Sequence, residues 1–204
     1  MVIDFDDFAR NHIISDQCQS HDCREQLEAL HEVNPKFKAT LFAIPAEMTY
    51  ELLEWSKNTD WVELAVHGFT HSSNYECEKM TLDDFSMAMA GLEPILEAYF
   101  VKGFKAPGWQ ISDDCYKWLR DNDWWVADQS YNNVRRAKIA KELPAYVNNN
   151  GNFVAWNGDQ DTDIGTAWHG HTWNCMGNGI EETMPQLREL IKNVKLFQFV
   201  SEVL

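Results

Sequence analysis

"VIDFDDF", residues 2–8, is an apolar run that ends in two adjacent carboxylates, Asp6 and Asp7, with a third at Asp4. Charge is costly to bury unless it is paired or bound to a cation. A strand of this composition therefore points to chemistry at its end rather than to a plain core element.

The runs that follow repeat the pattern. A helix is expected from Asp22 to Val33, where Cys23, Leu27, Leu30 and Val33 recur on one face and Asn34–Pro35 stops the run. "ATLFAI" (39–44) reads as a buried strand, "YELLEWSKN" (50–58) as a helix and "WVELAV" (61–66) as a strand. Thr81 and Asp84 form a capping-box pattern ahead of a long helix that carries Pro94. "GFKAP" is a short strand, Ser112 caps a helix through Leu119, and "WWVAD" (124–128) is strand-like. "NFVAW" and "IGTAWHGH" are two further strand candidates, and a last helix is expected near Glu181–Asn193. The asparagine run "VNNNGN" (147–152) reads as a turn or loop. Strand–helix alternation of this kind predicts a parallel α/β architecture in one domain, residues 1–204.

Composition narrows the function. The chain has 204 residues and is 45% hydrophobic, enough for a sizeable core. A formal net charge of −15 repels phosphate backbones, so no nucleic-acid partner is expected. No apolar run approaches the ~20 residues of a membrane span. With acidic residues from Asp4 onward there is no secretory signal pattern either, and the expected location is cytoplasmic. Five cysteines without a dense framework read as buried or idle thiols.

Chemically capable residues cluster where apolar runs stop, the place where parallel α/β folds bind ligands. Asp6 and Asp7 follow the first run, and His67 and His71 ("HGFTH") the third. Lys105 and Pro107 close "GFKAP", Asp128 ends "WWVAD", and His169 and His171 end "GTAWHGH". Histidines four apart share one face of a helical turn, so both imidazoles can reach one cation. Two histidines and a carboxylate leave coordination positions open for water and substrate. Asp7 can be that carboxylate, with Asp6 left off the metal as a base. Each piece also has a plainer reading: paired histidines often only hydrogen-bond, and adjacent aspartates often cap a turn.

The ordered set resembles the polysaccharide deacetylases (NodB homology, carbohydrate esterase family 4). Its carriers are "FDDF" (5–8), "ATLFAIP", His67-x-x-x-His71, "KAPGW" in the place of an Arg-x-Pro motif, "WWVADQSY" (124–131) and "AWH" ending at His169. The resemblance implies a distorted (β/α) barrel of about seven strands. It makes Asp6 the catalytic base, Asp7, His67 and His71 the metal ligands, and Lys105 the cation that contacts the base. Asp128 becomes a possible contact to that cation. His169, with His171 as competitor, becomes the general acid, and Ala167 could line an acetyl-methyl pocket.

The implied reaction is metal-assisted removal of an N-acetyl group from an amino sugar or oligosaccharide. Zinc is the first expectation from the ligand types, and iron, cobalt, nickel or manganese would also suit them. Trp109, Trp168 and Trp173 sit beside the proposed catalytic residues as candidates, with Pro107, to bind substrate. Two other functions fit the same residues: hydrolysis of another small amide, and a carbohydrate-binding pseudoenzyme, the latter favoured by lysine at position 105.

Overall fold

The computed structural model describes residues 1–16, 18–129, 145–148, 167–174 and 179–203. Seven strands form one parallel sheet. In chain order they are β1 (Val2–Phe8), β4 (Ala39–Ala43), β5 (Val62–His67), β6 (Gly103–Lys105), β7 (Trp125–Gln129), β8 (Ala145–Asn148) and β9 (Ala167–His171). A separate antiparallel hairpin, β2 (Asn11–Ser15) with β3 (Cys18–His21), follows β1. The helices are α1 (Arg24–Val33), α2 (Tyr50–Lys57), α3 (Leu82–Tyr99), α4 (Asp113–Asp121) and α5 (Ile180–Ile191). The sheet order is β8-β7-β6-β5-β4-β1-β9. It curls into a half-barrel, an open form of the expected distorted (β/α) barrel.

Alternation along each strand divides its side chains between two faces. On the convex face, Ile3, Phe5, Leu41, Leu64 and Trp168 join Leu27 and Leu30 of α1 and Leu187 and Ile191 of α5 in one apolar layer. Farther along the sheet, Val66, Phe104 and Val126 pack with Phe85 and Met89 of α3 and Cys115 and Leu119 of α4. Helix starts are fixed locally. Thr81 and Asp84 form the reciprocal capping box, the Ser112 hydroxyl accepts from the Cys115 amide, and α3 continues through Pro94.

The concave face is apolar at its floor, where Val2, Phe42, Ala65, Trp125, Ala127 and Ala167 meet Val200. Gly103 makes room there. A Cβ at this position would lie 2.0 Å from the Trp125 ring. Ala167 belongs to this floor, two residues below His169, which removes it from any acetyl-methyl pocket at the strand ends.

Three sequence expectations change. The β2–β3 hairpin has no apolar periodicity and was not expected. Val147 and Asn148 belong to β8 rather than to a turn, and "NFVAW" lies outside the described residues. Cys18 is disulfide-bonded rather than idle, whereas Cys23, Cys77 and Cys115 are free and buried. Among the described residues no helix is long and apolar enough to cross a membrane.

The floor is tied to residues 200–202 by a buried carboxylate. Glu63 accepts from the Thr40 hydroxyl at 2.7 Å and the Ser201 hydroxyl at 2.6 Å, and Thr40 Oγ1 accepts from the Val200 amide. Glu63→Ala leaves these donors without their acceptor and is expected to cost about 1–3 kcal/mol in urea unfolding. Burial, against the Ser201 and Thr40 donors, raises the Glu63 carboxyl above its ordinary 4.5. The native state therefore holds this proton more tightly than the unfolded chain does. The stability contributed here should fall as pH rises above about 4.5, a slope that Glu63→Gln should lack.

Candidate active site

Strict alternation would send Asp6 and Asp7 to opposite faces of β1. The backbone prevents this. Asp4 and Phe5 pair with Thr40 and Leu41, but Phe8 pairs with Ala43, so β1 carries one extra residue against β4. Asp7 has φ 62, a left-handed conformation that aspartate tolerates better than most residues. This bulge brings neighbouring carboxylates to one site, and Asp4, two residues before Asp6, shares the face of Asp6.

His67 ends β5, and His71 follows in a loop rather than on the helical turn that the spacing suggested. Positive φ at Gly68 (61°) and His71 (50°) turns the chain back. Glycine is needed at 68, because a Cβ there would lie 2.4 Å from Glu76 Oε2 and 2.6 Å from Pro107 Cγ. Glu76 pins the loop by accepting from the Phe69 and Thr70 amides and the Thr70 hydroxyl. Pro107 is thus a buried support for the histidine loop and offers no surface to substrate. Three of the four non-glycine residues with positive φ among the described residues are Asp7, His71 and Trp109, all at the site. Strain of this kind concentrates where function over-determines the backbone.

Asp7 Oδ1 lies 3.2 Å from His67 Nε2 and 3.1 Å from His71 Nε2, buried and without a hydrogen bond. Ligand atoms each about 2.1 Å from one ion lie about 3.0 Å apart at right angles and about 3.4 Å apart at the tetrahedral angle. The observed spacings fall between these values, so the triad fits a divalent cation. The outer contacts fit as well. His67 Nδ1 lies 3.0 Å from the Lys105 carbonyl, which takes the Nδ1 proton and leaves the Nε2 lone pair inward. Trp173 Nε1 donates to Asp7 Oδ2 at 2.7 Å, which leaves Oδ1 as the oxygen that would face an ion, and the Thr172 hydroxyl donates to the Asp7 carbonyl. The adjacent imidazoles overcome burial and hold the Asp7 carboxyl well below the usual carboxylate range.

Beside the triad is a buried ionic group. Lys105 Nζ donates to Asp6 Oδ1 at 2.6 Å and to Asp4 Oδ1 at 3.3 Å. His169 Nδ1 lies 2.6 Å from Asp4 Oδ1, and its Nε2 is 3.7 Å from Asp6 Oδ2. The ammonium also sits 4.1 Å from the Trp109 ring centre and 4.5 Å from that of Phe42. Burial alone would raise the Asp6 carboxyl, but Lys105, then His169, bring it down to about 2, so Asp6 is an anion at neutral pH. His171 behaves differently. Burial, the largest influence, pushes its imidazole down to about 3, and it stacks on Trp173 at 3.8 Å.

Asp6, His169 and His171 also bring ligating atoms together. The Lys105 ammonium against Asp6 disfavours a cation there, since two positive charges would compete for one carboxylate.

Of the four proposed substrate contacts, Trp109 and Trp173 are partly exposed at the site. Trp168 is a correction. Strand alternation turns it to the convex face, where it is 1% exposed and packed in the core. Sequence reasoning missed Asp4 and also His12, whose ring lies 5.0 Å from that of His71. Asp4 had a signal, its two-residue spacing from Asp6. His12 had none. The side chain of Asp128 lies outside the described residues.

No protein-family model matches the sequence, and no curated protein does. Solved structures do share its fold. A family 4 acetyl xylan esterase from Clostridium thermocellum, in complex with a cobalt ion, superposes with a TM-score of 0.61 at 14% identity, over 99% of this chain and 88% of that one. The chitin deacetylase of the fungal pathogen Colletotrichum lindemuthianum gives 0.58 at 13%, over 100% and 86%. A CE4 family pseudoenzyme from Bacillus anthracis gives 0.54 at 15%, over 99% and 64%. The fold is therefore the one the sequence motifs implied, and identities this low carry the fold alone.

His67→Ala or His71→Ala is expected to lower bound divalent metal sharply after dialysis, measured by inductively coupled plasma mass spectrometry. Trp173→Phe keeps an aromatic ring but removes the donor to Asp7 Oδ2, and should weaken metal affinity by about 10–100-fold.

Proposed function

We propose that the protein is a metal-dependent deacetylase acting on an N-acetylated amino sugar or oligosaccharide, with Asp7, His67 and His71 as ligands, Asp6 as base and His169 as acid. The observation that carries this reading is the junction of two units: an orphaned, buried Asp7 oxygen between two imidazole nitrogens, and an ionised Asp6 held beside it by Lys105.

When bound, a divalent ion supplies Lewis-acid polarisation of an acyl carbonyl and makes water acidic enough to lose a proton near neutral pH. Asp6 Oδ1 is taken by Lys105, so Oδ2, 3.9 Å from His67 Nε2, is the oxygen free to accept that proton. His169 Nε2, 3.7 Å from Asp6 Oδ2, gives a proton to the departing nitrogen as the C–N bond breaks. A neutral His171, stacked on Trp173, suits an orienting or substrate-contacting role better than that of the acid. The partly exposed faces of Trp109 and Trp173 suit stacking on a sugar ring. A lysine in the place of arginine loses the bidentate fork, but one ammonium between two carboxylates still fixes the base. That contact favours an active enzyme over a binding-only protein, although a pseudoenzyme shares the fold.

Acetate release from a panel of N-acetylated and O-acetylated oligosaccharides and small acetamides, with metal added and chelated, tests the reading. Activity on the amino sugars only with metal is expected, and release from small acetamides alone would move the substrate class. Asp6→Asn should retain metal and lose about 10²–10⁴-fold in turnover. His169→Ala should abolish turnover of the amide with metal retained, while His171→Ala should leave measurable activity. The reverse order would reassign the acid.

A further inference from the structure

Asp4 lies in the first strand, three residues ahead of the nearest proposed ligand, and is 0% exposed. It pairs in register with His169 across β1 and β9, and its Oδ1 lies 2.6 Å from His169 Nδ1. We propose that Asp4 is the positioning residue of the general acid: it holds the Nδ1 proton of His169 so that Nε2 is the nitrogen that delivers a proton to the leaving group. This inference rests on the deacetylase reading for the role of His169, while the coupling of the two side chains stands on their geometry.

The placement explains a charge that the strand would otherwise carry at a cost. Among the described residues Lys105 also reaches Asp4, at 3.3 Å, but it is closer to Asp6, at 2.6 Å. Asp4 is thus committed first to the imidazole and second to the ammonium. A carboxylate on Nδ1 fixes the ring's tautomer and orientation and compensates the charge of the doubly protonated ring. His169 then keeps its Nδ1–H bond to Asp4 through the cycle: Nε2 is protonated before the C–N bond breaks, gives that proton to the amine nitrogen, and is left as a lone pair. With Asp6 Oδ2 3.7 Å from Nε2, the base and acid face one space, each anchored from behind, Asp6 by Lys105 and His169 by Asp4.

A general acid matters in proportion to how badly the leaving group needs a proton. Asp4→Asn keeps the shape and removes the charge, and it is compared with wild type and His169→Ala on two substrates. One is an N-acetylated chito-oligosaccharide, whose amine must be protonated to leave. The other is 4-nitrophenyl acetate, whose phenolate leaves unaided. The expected result is a fall of about 10²–10⁴-fold in kcat on the amide with KM little changed, and less than tenfold on the aryl ester, with metal content and thermal midpoint retained. His169→Ala should show the same selectivity, and the double variant should be no worse than His169→Ala. Equal losses on both substrates, or an amide rate within tenfold of wild type, would overturn the proposal.

Two-bond ¹H–¹⁵N spectra of the histidines provide a readout that needs no turnover. His169 should be protonated at Nδ1 in wild type and lose that preference in Asp4→Asn. If wild type hydrolyses neither substrate, the deacetylase reading fails, and an unchanged His169 tautomer in Asp4→Asn would separately overturn the coupling.

Discussion

A fully buried ammonium at the mouth of the sheet is the constraint on which the rest of the site depends. Lys105 is 0% exposed, and its charge is sustained by Asp6, Asp4 and the faces of Trp109 and Phe42. An unpaired charge in that position would be prohibitive. The same residue fixes His67 through its backbone carbonyl. One lysine thus connects Asp7, His67 and His71 to the group of Asp4, Asp6 and His169, through the main chain on one side and the side chain on the other. Removing its charge would take the donor from Asp6 Oδ1 and leave Asp4 to its contact with His169.

The second constraint is geometric. A regular strand cannot present three carboxylates from positions 4, 6 and 7 to one site. The bulge with left-handed Asp7 solves this by spending backbone strain, and His71 and Trp109 carry strain of the same kind. The supports that hold these residues are ordinary: a capping glutamate at 76, a glycine at 68 that admits Pro107, and an indole on Asp7. Chemistry at the strand ends is therefore held by contacts that a motif search does not weigh.

Much of this was legible in the sequence, and the reason is periodicity. Apolar runs with charged residues at their ends predicted β1, β4, β5, β6, β7 and β9 close to where they lie, and the caps at Thr81 and Ser112 marked their helices. The residues gathered at the strand ends, Asp6, Asp7, His67, His71, Lys105 and His169, all stand out in the sequence as chemically capable side chains where apolar runs stop. What failed was orientation. Trp168 adjoins His169 in sequence, yet adjacency on a strand means opposite faces, and it packs in the core. His67 and His71 were read as a helical pair, while left-handed backbone in a loop brings them together. The β2–β3 hairpin has polar strands with little apolar alternation, so it was invisible. Asp4 looked like part of an apolar run until its partner on β9 was known.

The pairing of β1 with β9 also sets an order of assembly. Asp4 and His169 are 165 positions apart in sequence but are neighbours across two strands. Closing so long a loop is entropically slow, and contacts of that kind form late in folding. The triad of Asp7, His67 and His71 draws only on β1, the last residue of β5 and the loop after it, so these side chains can meet while β9, an edge strand of the sheet, is still undocked. Fraying of that edge would separate His169 from Asp6 and release Thr172 and Trp173 from Asp7, while Asp7, His67 and His71 stay on their own elements. Assembly of the Asp7–His67–His71 triad and docking of His169 are then two different measures of how much of this protein is folded.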